Sequence, residues 1–205
     1  MNERVVIIGG GMAGTRLAEL LGASYDVTVL GDEGFYQRTR LTEYVAGRAA
    51  EPVVSKGDLA LRVDRGNGVV VDSKGMASYY DHLVFATGAE PSVPAAIEGY
   101  RTLRTASDAI AIVEEASRVR RAVVLGGGVL GVETACALRE RGVAVTVVHD
   151  GETLLDRRVR TSAGRRITRA VRELGIEVLL NAEAESTERR DGRFRAVRLA
   201  GGKAV

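Results

Sequence analysis

Apolar positions along this chain come in short unbroken runs separated by glycine triplets and by stretches of helical spacing. Arg4 to Ile8 (RVVII) is an apolar, β-branched run that stops at Gly9-Gly10-Gly11. From Met12 to Gly22 the apolar residues Leu17, Ala18, Leu20 and Leu21 fall at helical intervals, and Asp26 to Leu30 (DVTVL) reads as a second strand. The same succession returns later. Arg121 to Leu125 stops at Gly126-Gly127-Gly128, Val129 to Arg141 has helical spacing, and Val143 to Val148 is a strand. Strand, glycine turn, helix and strand make a βαβ unit. Strands that are apolar throughout, rather than alternating, predict a parallel sheet covered on both faces. The separation of the two copies is too long for a solenoid repeat and suits two tandem domains.

The segments around these units predict smaller elements. Val69 to Val71 and Ser78 to Tyr80 suit short antiparallel strands around the turn residues Ser73-Lys74-Gly75. Leu83 to Thr87 reads as a buried strand, and Pro91 and Pro94 mark a crossover. Ser107 to Ala116 is a predicted helix capped by Thr105 or Ser107. Ser162 to Leu174 is another, with Gly175 just beyond its end, followed by strands at Ile176 to Leu180 and Phe194 to Leu199. The expected fold class is α/β: two Rossmann-like domains with parallel sheets and short antiparallel meanders. The expected division is 1–104 and 105–205.

Composition narrows the chemistry. The chain has 205 residues and a net charge of only +2, and its arginine-rich pieces (Arg118 to Arg121, Arg157 to Arg160, Arg165 to Arg169) are interleaved with acids and apolar residues. They read as solvated helix faces, so no nucleic-acid surface is expected. A single cysteine, Cys136, excludes an internal disulfide and a multi-cysteine metal site, so no metal is expected. It also suits a reducing, cytoplasmic setting. No apolar run approaches the roughly 18 residues of a membrane span, and the N-terminus lacks a signal-peptide core. Cys136 reads as a small core residue, and His82 as a structural one.

The 25 glycines include two G-x-G-x-x-G segments, each directly after a strand and opening a helix. In Gly9-Gly10-Gly11-Met12-Ala13-Gly14 the first glycine makes the turn. The second lets backbone approach a pyrophosphate, and the third lets helix pack on strand. The helix start supplies N–H donors and partial positive charge. An acid about 20 residues on should bind a ribose hydroxyl. Asp32 or Glu33 can serve, and Asp32 is favoured. Gly126-Gly127-Gly128-Val129-Leu130-Gly131 repeats the mechanics, and there the ribose position reads His149-Asp150. An acid at that strand end selects NAD and a basic residue favours NADP. Asp150 leans the choice toward NAD, with NADP kept open by His149 and the nearby Arg157 and Arg158. Two dinucleotide sites on one chain imply electron relay, since a nicotinamide donates a hydride and a flavin accepts it.

Three stretches, VVIIGGGMAGTRLAELL, YYDHLVFATGAEP and VVLGGGVLGVETACALRERGVAVTVVH, resemble the two-dinucleotide-domain flavoprotein reductases of the pyridine nucleotide-disulfide oxidoreductase superfamily. The resemblance implies FAD at the first site and NAD or NADP at the second. It places Thr87, Gly88 and Ala89 at the border of the FAD and Glu133 near the nicotinamide and flavin rings. The chain lacks a cysteine between residues 36 and 50, which the disulfide and coenzyme A-disulfide branches carry there. Tyr36-Gln37-Arg38-Thr39-Arg40-Leu41-Thr42 is similar to the Y-x-R-x-x-L-[ST] segment of rubredoxin and ferredoxin reductases and of the flavin module of assimilatory NADH-nitrite reductases. Arg38 is then an FAD contact. VTVVHDGETLLDRRV resembles the nitrite-reductase form, which also has His at the strand end.

The resemblance implies an FAD-dependent NAD(P)H oxidoreductase that passes electrons to a separate acceptor, a redox partner protein or a downstream metal centre, with a homodimer as one form. Family members carry further segments after the point matched by Val205, so the chain reads as truncated. The alternative function is therefore a truncated nucleotide-binding module without turnover.

Overall fold

The computed structural model describes residues 2–31, 40–52, 57–93, 95–190 and 193–205. In chain order the elements begin with β1 (Arg4–Ile8), α1 (Met12–Leu21), β2 (Asp26–Leu30) and α2 (Leu41–Val45). They continue with β3 (Ala60–Asp64), β4 (Val69–Asp72), β5 (Ala77–Tyr79), β6 (His82–Phe85) and α3 (Ala106–Ala116). The chain closes with β7 (Arg121–Leu125), α4 (Val129–Glu140), β8 (Ala144–Val148), α5 (Thr161–Glu173), β9 (Glu177–Leu179), β10 (Ala184–Arg190) and β11 (Arg193–Leu199). The chain forms two compact units, one of residues 1–38 and 52–90 and the other of 39–51 and 91–205.

In the first unit β1 lies between β2 and β6, all parallel, with Ile8 opposite both Leu30 and Phe85. Its Val5, Val6 and Ile7 are buried, as the unbroken apolar run predicts for a central strand. β6 differs from the expected buried strand. It ends at Phe85, two residues before Thr87, and its Phe85 side chain is exposed. The reason is position: among the described residues β6 pairs with β1 alone, so it is an edge strand. The predicted meander is present, with a third strand, β3, antiparallel to β4. Its β4–β5 turn is held by Asp72, whose buried carboxylate accepts from the amides of Lys74 (2.8 Å) and Met76 (2.9 Å). Val70 of the meander packs with Val6 and Leu30 of the parallel sheet in one hydrophobic cluster of the unit.

In the second unit β8 lies between β7 and β9, again all parallel. The antiparallel ribbon β10–β11 packs on it, with Val197 and Leu199 against Val148. α3 begins at a capping box: Thr105 Oγ1 accepts from the Asp108 amide at 3.0 Å, and Asp108 Oδ2 accepts from the Thr105 amide at 3.0 Å. Thr105 is therefore the cap. α2 packs on α3 and α4. Arg141 donates to the carbonyls of Tyr44 (2.9 Å) and Val45, and Arg48 pairs with Glu140.

Candidate nucleotide sites

The first glycine turn leaves β1 at the C-terminal edge of the β2-β1-β6 sheet, where open parallel sheets bind ligands. Gly9 has φ +116°, and its amide donates to Leu30 O at 2.7 Å. A Cβ on Gly9 would lie 2.2 Å from Ala86 O, and one on Gly31 would lie 2.6 Å from the Gly10 amide nitrogen. The turn is thus sealed between the ends of β6 and β2. A Cβ on Gly14 would lie 1.9 Å from Gly9 O, so α1 starts in contact with the turn below it.

Gly11 is different. A Cβ there would meet nothing within 4 Å, and its φ of −71° is open to any residue. What keeps this position free of a side chain is not the protein's own packing. Gly11 is also the N-cap of α1 and provides no side-chain cap, so the first amides of the helix lack intrahelical acceptors and face outward with the positive end of the helix dipole. Such a cradle fits a pyrophosphate. Met12 is exposed beside it, as are Ala13 and, across the turn, Thr87, Gly88 (φ +74°) and Ala89. Gly9, Gly11, Met12, Ala13, Gly14 and the 87–89 segment therefore gather at one sheet edge. Asp32, Glu33 and Arg38 lie outside the described residues.

The second turn repeats this arrangement. Gly126 has φ +99° and donates to Val148 O at 2.8 Å. A Cβ on Gly131 would lie 2.0 Å from Gly126 O, whereas Gly128, the N-cap of α4 at φ −73°, faces open space within 4 Å. Val129 and Leu130 are exposed at the helix start. The floor of the turn differs from the first. A Cβ on Gly127 would lie 2.6 Å from His149 Cδ2 and 2.7 Å from Leu154 Cδ2.

His149 is accordingly buried, 6% exposed, beneath the turn rather than on the surface. Its Nε2 is 3.2 Å from Asp156 Oδ1 in a hydrogen bond. Its Nδ1 is 3.0 Å from Asp150 Oδ1 without hydrogen-bond alignment. The Asp150 carboxylate is exposed at the end of β8, 3.6 Å from Arg157 Nη2. What supports this region is not visible in any local sequence pattern. The loop after β8 folds back, with Leu155 in the left-handed region (φ 58°) donating to Gly127 O at 2.9 Å. Leu154 donates from its amide to Thr168 Oγ1 at 3.1 Å, tying the loop to α5. The one local signal the sequence offers is Gly151, a turn residue, and it does not specify where the loop docks.

Glu133 is exposed on α4, shortly after Gly128. Cys136 is half-buried between the buried Ala135 and Ala137, and burial, with Glu140 adding to it, pushes its thiol up, so the thiol stays protonated and packs. His82 is exposed at the start of β6, 3.3 Å from Glu3 and edge-on to the Tyr25 ring. Among the described residues no three His, Cys, Asp or Glu side chains gather as a metal site, and no helix is long and apolar enough to cross a membrane.

Residues 3–205 match the family described as pyridine nucleotide-disulphide oxidoreductase. The chain belongs to that family. Among its relatives is the nitrite reductase [NAD(P)H] large subunit of Klebsiella oxytoca, 34% identical over 199 residues, which are 85% of this chain and 21% of that protein. Another is the ferredoxin–NAD(+) reductase component of the biphenyl dioxygenase system of Paraburkholderia xenovorans, 31% identical over 100% of this chain and 56% of that one. Among solved structures, the covalent putidaredoxin reductase–putidaredoxin complex matches at a TM-score of 0.89 and 26% identity, over 100% of this chain and 56% of that chain. The chain thus spans between about a fifth and about half of these relatives' lengths.

Proposed function

We propose that the chain supplies the two nucleotide sites of an FAD-dependent NAD(P)H oxidoreductase, with FAD on the Gly9–Gly14 turn and NAD(H) on the Gly126–Gly131 turn. The observation that carries this reading is the contrast within each turn. Gly9, Gly14 and Gly131 lie against the protein's own backbone and Gly126 needs a positive φ, while Gly11 and Gly128 are bare for no internal reason. A phosphate pair resting on them supplies the reason. The amides at the starts of α1 and α4 hold the pyrophosphates. Met12, Ala13, Thr87, Gly88 and Ala89 border the first nucleotide, with Asp32 or Glu33 on its ribose and Arg38 as a further contact. Val129, Leu130 and Asp150 border the second, with His149 beneath. Glu133 orients the reacting rings. When bound, the nicotinamide supplies a hydride and the flavin accepts it. The electrons go on to a separate acceptor in the cytoplasm, a partner protein or metal centre, in the manner of nitrite reductases or of ferredoxin and rubredoxin reductases.

The test uses Gly11→Ala and Gly128→Ala in the 205-residue chain. Both positions accept a Cβ and a right-handed φ, so stability should change by no more than ~1 kcal/mol. Gly11→Ala should weaken FAD binding, and Gly128→Ala NADH binding, each by about tenfold or more. Wild-type protein that binds neither nucleotide, or variants that bind both as tightly as wild type, would overturn the reading. Anaerobic bleaching of the bound flavin by NADH then separates an enzyme from a module that only binds.

A further inference from the structure

We propose that His149 is a proton-operated positioning residue for Asp150, and that through it pH sets the preference between NADH and NADPH. The inference rests on the reading of the second turn as the nicotinamide-dinucleotide site.

The imidazole cannot swing away. It is 6% exposed, lies under Gly127, and has Gly151 close to its Nε2. Both ring nitrogens face carboxylate oxygens, Nδ1 that of Asp150 at 3.0 Å and Nε2 that of Asp156 at 3.2 Å. An ionised carboxylate only accepts, and a neutral imidazole carries one N–H and one bare lone pair. Only the imidazolium can therefore donate to both acids. In the neutral ring one nitrogen presents a lone pair to a carboxylate, and that contact must open.

The geometry identifies which contact opens. Nε2 makes an aligned hydrogen bond to Asp156, whose Oδ1 also accepts from the Arg157 amide at 2.8 Å. Nδ1 lacks an aligned bond. Asp150 is the more exposed acid, and its other neighbour is the Arg157 guanidinium at 3.6 Å, itself mostly in solvent. Asp150 is thus the carboxylate that can turn. Among the described residues the Gly127 turn and Leu154 also close on the ring, and Leu179 O at the end of β9 accepts from the His149 amide.

With His149 neutral, Asp150 turns outward with its full charge, accepts from a ribose 2′-hydroxyl and repels a 2′-phosphate. With His149 protonated, Asp150 is drawn onto Nδ1 and neutralised, and Arg157 is left as an uncompensated cation beside the ribose. Discrimination against NADPH is strong at high pH and weak at low pH.

The experiment measures the Kd of NADH and of NADPH by nicotinamide fluorescence on the full chain between about pH 5.5 and about pH 8. The wild-type preference for NADH should rise about tenfold or more across that interval. His149→Asn, which cannot charge, and Asp150→Asn, an exposed change that leaves the fold intact, should both reduce the rise to the small slope contributed by the 2′-phosphate's own proton, with a pKa of about 6. A wild-type ratio flat with pH, or a slope equal in all three proteins, overturns the proposal while leaving the nucleotide site standing. Failure of NADH to bind at any pH overturns the reading of the second turn, and the proposal with it.

Discussion

At the scale of single residues the two turns divide their glycines into two kinds. Gly9 needs a positive φ and lies against Ala86 O, and Gly14 lies against Gly9 O. Alanine at either position meets backbone, which cannot yield, and should cost about 2 kcal/mol or more, read as a lowered denaturation midpoint. This contrasts with the near-silent effect on stability expected for Gly11→Ala. These roles were legible in the sequence because spacing within a strand–turn–helix fixes which glycine turns, which faces out and which packs. His149 was not legible in this way. A strand-end residue reads as solvent-exposed, and its burial depends on the bare Cα of Gly127 and on Leu154 closing from the other side.

At the scale of elements, caps and clamps set where strands and helices begin. Thr105→Ala removes the acceptor for the Asp108 amide and should destabilise the second unit by ~1 kcal/mol in chemical denaturation. In the first unit Asp81 accepts from the Arg4 side chain and backbone amide, clamping the starts of β6 and β1 together. These hydrogen bonds, the side-chain ones first, hold its carboxyl down to about 2. A carboxyl lowered on folding contributes stability above its unfolded value of about 3.9 and loses it as pH falls through the folded one. Asp81→Asn should therefore lower the Tm at neutral pH, and the gap to wild type should close as pH drops from about 4 toward about 2. The parallel strands were readable because an unbroken apolar run needs cover on both faces. β3, β10 and α2 were not. The strands ALRVD and AESTERR carry charges on half-exposed ribbons, and five residues are too few to show a helical period.

At the scale of the whole molecule, the chain crosses between its units more often than two consecutive domains require. Residues 39–51 belong with the second unit although the chain then returns to the first. Arg141 fixes that excursion by donating to the carbonyls of Tyr44 and Val45 at the end of α2. Arg141→Met keeps the stem and strips both carbonyls of a partly buried donor. It should destabilise the second unit by about 1–3 kcal/mol, visible as an earlier thermal transition. The sequence by itself determined the two glycine turns, their strands and the helices that follow, because those depend on backbone conformation and side-chain size within a few consecutive residues. The tertiary structure alone decided that His149 goes beneath a turn, that the loop after β8 docks on Gly127 and Thr168, and that α2 joins the second unit. Each of these depends on space and hydrogen-bond partners supplied by residues distant along the chain, which no local pattern encodes.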